Sequence, residues 1–157
     1  IEPIEPLAQS AEEFAHTVLR ATDDAGADIV LIDGIGGYEM SIQGSRSTLV
    51  EKIHSLARHL KNQDVTVLIT DEIPRITGMN TATSTNISYI ADNIVGMTYI
   101  ESDGALEKVI GVIKKRAGRF DNALREYALD GGISVGSKVH DAGGILRGHP
   151  VNRGQYE

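Results

Sequence analysis

The stretch Ala27-Asp28-Ile29-Val30-Leu31-Ile32-Asp33-Gly34 constrains the fold more than any other part of the chain. Ile29 to Ile32 are consecutive apolar residues, mostly β-branched. That composition suits a strand buried on both faces, as in a parallel sheet. The run ends in a carboxylate and a glycine. In an open α/β sheet, ligands bind outside the carboxyl ends of the strands. Asp33, placed there, stands where it can hold Mg²⁺ directly or through water. The same residue also suits a simple turn or cap, and this stretch alone leaves both readings open.

The length of 157 residues is enough for one domain with a sizeable core. A net charge of −7 argues against a broad nucleic-acid surface. With no cysteine there is neither a disulfide framework nor a Cys-based zinc site. No apolar run approaches the roughly 18 residues of a membrane span, and the N-terminus lacks the pattern of a signal peptide. A cytoplasmic protein without membrane contact is the expectation. Asn86-Ile87-Ser88 matches a glycosylation acceptor and is read as chance. The chain opens Ile1-Glu2-Pro3 without an initiator Met, as expected of a processed protein or a piece of something longer.

Taken in order, residues 1–9 read as extended, because two prolines exclude a helix. Ser10-Ala11-Glu12-Glu13 is a capping box, and a helix should follow with Phe14, Val18, Ala21 and Ala25 on one face and Gly26 just past its end. Gly34-Ile35-Gly36-Gly37 reads as a flexible loop rather than a phosphate grip, since it has neither P-loop nor dinucleotide spacing. Leu49, Ile53, Leu56, Ala57 and Leu60 predict a helix over 45–62, with Glu51, Lys52, Arg58 and Lys61 on its polar face. Val65 to Thr70 predict a second buried strand ending in Thr70, Asp71 and Glu72. Residues 73–85 read as a mobile loop, and Ile87 to Asp92 as a short helical turn. A third strand is expected from Asn93 to Ile100, a hairpin turn at Ser102-Asp103-Gly104, and a return strand from Leu106 to Lys114. Leu124 to Leu129 and Ile133 to Val135 are further extended segments, separated by a turn at Asp130-Gly131-Gly132. This order argues a mostly parallel α/β sheet with an antiparallel extension.

Four stretches, Asp28 to Asp33, Leu68 to Glu72, Ile90 to Val95, and Val112 to Arg116 continuing through Asp121, Arg125 and Glu126, together resemble the second half of a KaiC-like ATPase domain of the RecA superfamily. The resemblance covers nearly all of the chain. It implies a partial RecA-like core, with residues 1–157 as the C-terminal portion of a single ATPase domain. It makes Asp33 the Walker B carboxylate and Mg²⁺ position, puts Thr70 and Glu72 in the place of the family's Thr-x-Glu, and matches Asp92-Asn93 to a structural position. Lys114 and Arg116 match a Lys-x-Arg pair that reaches across a subunit interface toward a neighbour's γ-phosphate. ATP and Mg²⁺ are the implied cofactors, and a homo-oligomeric ring, expected to be a hexamer, the implied assembly.

The Lys-x-Arg spacing has its own logic. Residues two apart on a strand share a side, so Lys114 and Arg116 aim together, and two fixed cations beside a triphosphate stabilise charge developing on the transferred group. The bland alternative is a solvated basic turn, or ion pairs with Asp121 and Glu126. The family's Gly-Lys-Ser/Thr loop and its paired catalytic glutamates precede the strand matching residues 1–4, and no Gly-Lys-Ser/Thr occurs in the chain. Phe120 also stands where the family often has His. The isolated chain is therefore expected not to hydrolyse ATP, and to self-associate through an uncovered apolar sheet face. His54 and His59 are five apart and no histidine pair has metal-ligand spacing. The rival function is a non-catalytic assembly or signalling module with a RecA-like interface. DNA recombination fits less well, since no basic stripe with interleaved aromatics is present.

Overall fold

The computed structural model describes residues 10–35, 46–72, 87–102, 104–140, 142–143 and 151–152. The chain divides into two compact units, Ile1–Ile73 with Thr83–Ile90, and Pro74–Ala82 with Ala91–Glu157.

In the first unit, helix α1 (Ala11–Ala25) starts as its sequence requires. Glu13 N–H donates to Ser10 Oγ at 3.2 Å, and Ser10 N–H donates to Glu13 Oε2 at 2.7 Å, which satisfies orphan donors of the first turn. The helix ends at Gly26, whose φ of 58° is the left-handed conformation expected there. Its buried stripe is Ala11, Phe14, Val18 and Thr22 rather than Ala21 and Ala25. Thr22 enters the apolar side because its hydroxyl donates to the Val18 carbonyl at 2.7 Å, so no unsatisfied polar group is buried. Backbone and side-chain bonds from Ser10 hold the Glu13 carboxyl below its ordinary value of 4.5. A depressed folded-state pKa means that this contribution is complete above the ordinary value and is lost as pH falls through the lowered one. Acid unfolding of α1 should therefore become less pH-dependent below 4.5 in Glu13→Gln, while Ser10→Ala should cost about 1 kcal/mol at neutral pH. Urea denaturation across pH 3–7 checks both.

Strand β1 (Ile29–Ile32), helix α2 (Arg46–Asn62) and strand β2 (Thr66–Ile69) follow. β1 and β2 pair in parallel, Ile29 opposite Thr66 through Ile32 opposite Ile69. Ile53, Leu56 and Leu60 of α2 join Phe14, Val18 and Ile35 in the core, with Val30, Ile32, Val67 and Ile69 packed beneath them. Both strands were expected to be buried on two faces. Instead each alternates, and Ile29, Leu31 and Leu68 are 61%, 63% and 52% exposed. The two helices cover one face of the pair, and nothing among the described residues covers the other. Ile35, expected in a flexible loop, is 1% exposed in the core.

The second unit is antiparallel. Strands β3 (Asn93–Ser102), β4 (Ala105–Lys115), β5 (Arg125–Leu129) and β6 (Ile133–Lys138) form a four-stranded sheet in sequence order. The expectation of a mostly parallel sheet is corrected here: among the described residues only β1 and β2 are parallel, and β3 belongs to a separate antiparallel sheet. The reason is local. Ser102 pairs with Ala105, so the chain returns directly. Pairing with the nearest segment closes a short loop, whereas parallel pairing needs a long crossover. Gly104, at φ 76°, suits this turn. Val109 is fully buried and Ile100 nearly so. β7 (Ala142–Gly143) and β8 (Val151–Asn152) form a further short antiparallel pair, unanticipated in the tail. The extended opening at 1–9 and the loop at 73–85 lie outside the described residues. Among those residues no helix is long and apolar enough to cross a membrane.

Candidate functional site

Asp33 and Thr70, 37 residues apart in sequence, meet at the carboxyl edge of the parallel pair. Thr70 Oγ1 donates to Asp33 Oδ1 at 2.6 Å and accepts from the Gly34 amide at 2.8 Å. The main chain of Thr70 also bonds on both sides, its N–H to the Ile32 carbonyl at 3.0 Å and its carbonyl from the Ile35 amide at 3.1 Å. β1 and β2 run in register, so their ends coincide, and the polar residue terminating each strand faces its counterpart. Burial of Ile35 anchors the chain just beyond Gly34. Asp33, Thr70 and Glu72 are exposed. Glu72 lies two residues beyond Thr70 and is not joined to the Asp33–Thr70 pair among the described contacts.

A carboxylate, a hydroxyl and main-chain groups make a hard oxygen donor set. Among the described residues no group of three or more His, Cys, Asp or Glu could hold a metal. An oxygen donor set of this kind suits Mg²⁺, which keeps most of its water and is held by one or two carboxylates together with substrate phosphates.

In the second unit, Lys114 and Arg116 converge on one corner, as their two-residue spacing requires. Lys114 Nζ donates to the Ala91 carbonyl at 2.8 Å. Arg116 donates its amide to the Asp92 carbonyl at 2.8 Å, and its Nη1 lies 2.6 Å from Asp92 Oδ1. That side-chain contact is a charge pairing rather than an aligned hydrogen bond. A register shift between Ile94 and Val95 sets Lys114 opposite Ile94. Lys115 turns away, with Nζ 3.2 Å from the Arg119 carbonyl. Of the two acidic residues weighed from sequence as partners, Asp121 bonds Arg125 at 2.8 Å. The Ala123 amide, followed by Arg125, holds the Asp121 carboxyl below its ordinary range.

Two participants were not assigned a site role from sequence. Gly34 supplies an amide to Thr70; a glycine directly after the aspartate was its only signal. Asp92, read as structural, is the partner of Arg116; its position just before β3, opposite the end of β4, is where antiparallel register brings it.

The family model of the KaiC ATPase matches residues 2–140. The circadian clock protein KaiC3 of Synechocystis sp. is 32% identical over 108 residues, 68% of this chain and 21% of that protein. The circadian clock oscillator protein KaiC of Picosynechococcus sp. is 28% identical over 147 residues, 93% of this chain and 28% of that protein. That of Thermostichus vulcanus is 23% identical over the same length. The chain belongs to the KaiC ATPase family, within the RecA superfamily. It spans between 21% and 28% of the length of these relatives.

Proposed function

We propose that residues 1–157 are the C-terminal portion of a single RecA-like KaiC ATPase domain that takes ATP and Mg²⁺ at a subunit interface of a ring and serves signalling or regulation. The carrying observation is the 2.6 Å contact between Thr70 and Asp33 at the carboxyl edge of parallel strands, in a chain matched to this ATPase over residues 2–140. Mg²⁺, when bound, neutralises charge on the phosphates. Asp33 is the residue that holds it, Thr70 completes the polar edge, and Glu72 offers an acceptor for water there. Lys114 and Arg116 present two cations to the nucleotide of the neighbouring subunit. The phosphate cradle is a separate segment, since this sequence has no Gly-Lys-Ser/Thr.

The test is Mg²⁺-dependent binding of a fluorescent ATP analogue by the full-length protein. Loss of groups behind a metal ligand costs about 10–100-fold, so Asp33→Ala, which removes the ligand itself, should weaken binding at least tenfold. Unchanged binding would sink the assignment.

A second reading has its own observation. Lys114 and Arg116 both contact the Ala91–Asp92 corner of their own chain, which suits a non-catalytic assembly module as well as a resting pose. Substitution of Arg116, argued below, separates the two.

A further inference from the structure

By the resemblance Thr70 is a cofactor-binding residue, in the place of the family's Thr-x-Glu. The geometry points to a different role: we propose that Thr70 is a positioning residue that acts through Asp33, orienting its carboxylate and locking the first peptide of the following loop to it. The inference rests on the Mg²⁺-nucleotide reading above and deepens it.

The direction of the hydrogen bonds carries the argument. A hydroxyl has one proton to give and lone pairs to receive with. The Gly34 amide can only donate, so at 2.8 Å Thr70 Oγ1 is its acceptor. The hydroxyl proton is then committed to Asp33 Oδ1 at 2.6 Å, the short range of a bond to a carboxylate. Oδ1 is thereby an acceptor with its position set, and the carboxylate so oriented would be the group to hold a cation carried by a nucleotide. The same residue is held through its main chain to Ile32 and Ile35, so the hydroxyl has little freedom to follow a ligand instead. Gly34 contributes the remaining condition. Its φ of 79° lies in the left-handed region, where a side chain is strained, and this turn brings its amide to Thr70. One threonine thus ties the end of β2 to residues 32–35 at the end of β1. Outer partners of metal ligands act in this way, holding the ligand rather than the metal.

Thr70→Val removes the hydroxyl while keeping the shape, and Thr70→Ser keeps the hydroxyl. In the full-length protein, with a fluorescent ATP analogue and titrated Mg²⁺, Thr70→Val should raise the half-saturating Mg²⁺ about tenfold. Binding at saturating Mg²⁺ should hardly change, and Thr70→Ser should stay near the parent. Without nucleotide, hydrogen exchange at the Gly34 amide should accelerate in Thr70→Val and not in Thr70→Ser. In an Asp33→Ala background, Thr70→Val should add nothing to the Mg²⁺ requirement. Additive effects there would mean direct ligand contact and overturn the proposal, as would equal Mg²⁺ requirements in Thr70→Val and the parent. Unchanged Gly34 exchange would overturn the lock. If Asp33→Ala itself left the Mg²⁺ requirement unchanged, the nucleotide reading would fall and the Thr70 role toward Mg²⁺ with it. A change in Asp33→Ala without one in Thr70→Val overturns the Thr70 proposal alone.

Discussion

Arg116→Ala should lower ATP turnover by the assembled full-length protein by about 10³-fold or more, with nucleotide binding little altered. A guanidinium is permanently charged and presents its donors in a rigid fork. In the proposed function its value would lie in charge that develops only as the phosphoryl group transfers. The pair that Arg116 makes with Asp92 does not stand in the way. Their side chains are 56% and 36% exposed, and ion pairs so exposed are worth about 0–1 kcal/mol. Arg116 is the more exposed partner, while Asp92 Oδ1 is itself buried. Asp92→Ala should reduce turnover far less than Arg116→Ala. If the two substitutions instead lower stability and turnover equally, the pair is a structural clamp; an assembled parent without ATP turnover leaves the assembly-module reading. Mixed rings test action in trans. Subunits carrying Arg116→Ala, combined with subunits carrying Asp33→Ala, should recover turnover at interfaces that join an intact Asp33 to an intact Arg116. No recovery would mean that Arg116 does not serve a neighbour.

The second large effect is on stability. Leu60→Ala should destabilise the first unit by about 2–5 kcal/mol, the cost of deleting a buried leucine and leaving a cavity. Leu60 is fully buried and packs in one cluster with Phe14, Val18, Ile53 and Leu56. Its carbonyl also accepts from the Gln63 and Val65 amides, each at 3.0 Å, at the passage from α2 to β2. A shift there would disturb the strand that carries Thr70. Since whole domains are stable by only about 5–15 kcal/mol, the loss should be plain in urea denaturation followed by circular dichroism. Leu31→Ala is the internal comparison: at 63% exposure it should cost within about 0.5 kcal/mol, as surface changes do. Equal costs at the two positions would show that the exposed face of β1 is covered in the full-length protein.

Much of the fold was legible because it rests on local chemistry. Ser10 and Glu13 announce the start of α1 and Gly26 its end, since caps satisfy backbone groups within a few residues. The spacing of Ile53, Leu56 and Leu60 announces the buried stripe of α2. Glycine at 104 after Ser102-Asp103 announces the hairpin. Within the site, Asp33 and Thr70 were both marked by their place at the end of apolar strands. Their contact was not, because nothing in the sequence says that two strands share a register.

The sequence by itself determined where α1, α2 and strands β1 to β6 form and which polar residues end β1 and β2, but not the short β7–β8 pair. Those choices depend on backbone propensity, capping and periodicity over a few residues. Only the tertiary structure decided which strand pairs with which, which faces are covered and which charges meet. It divided the strands between a parallel pair and an antiparallel sheet, left Leu31 exposed while burying Ile35, and gave Arg116 to Asp92 and Asp121 to Arg125. Pairing and burial depend on competition among distant segments for the same surface, and that competition is settled by the energy of the whole packed arrangement.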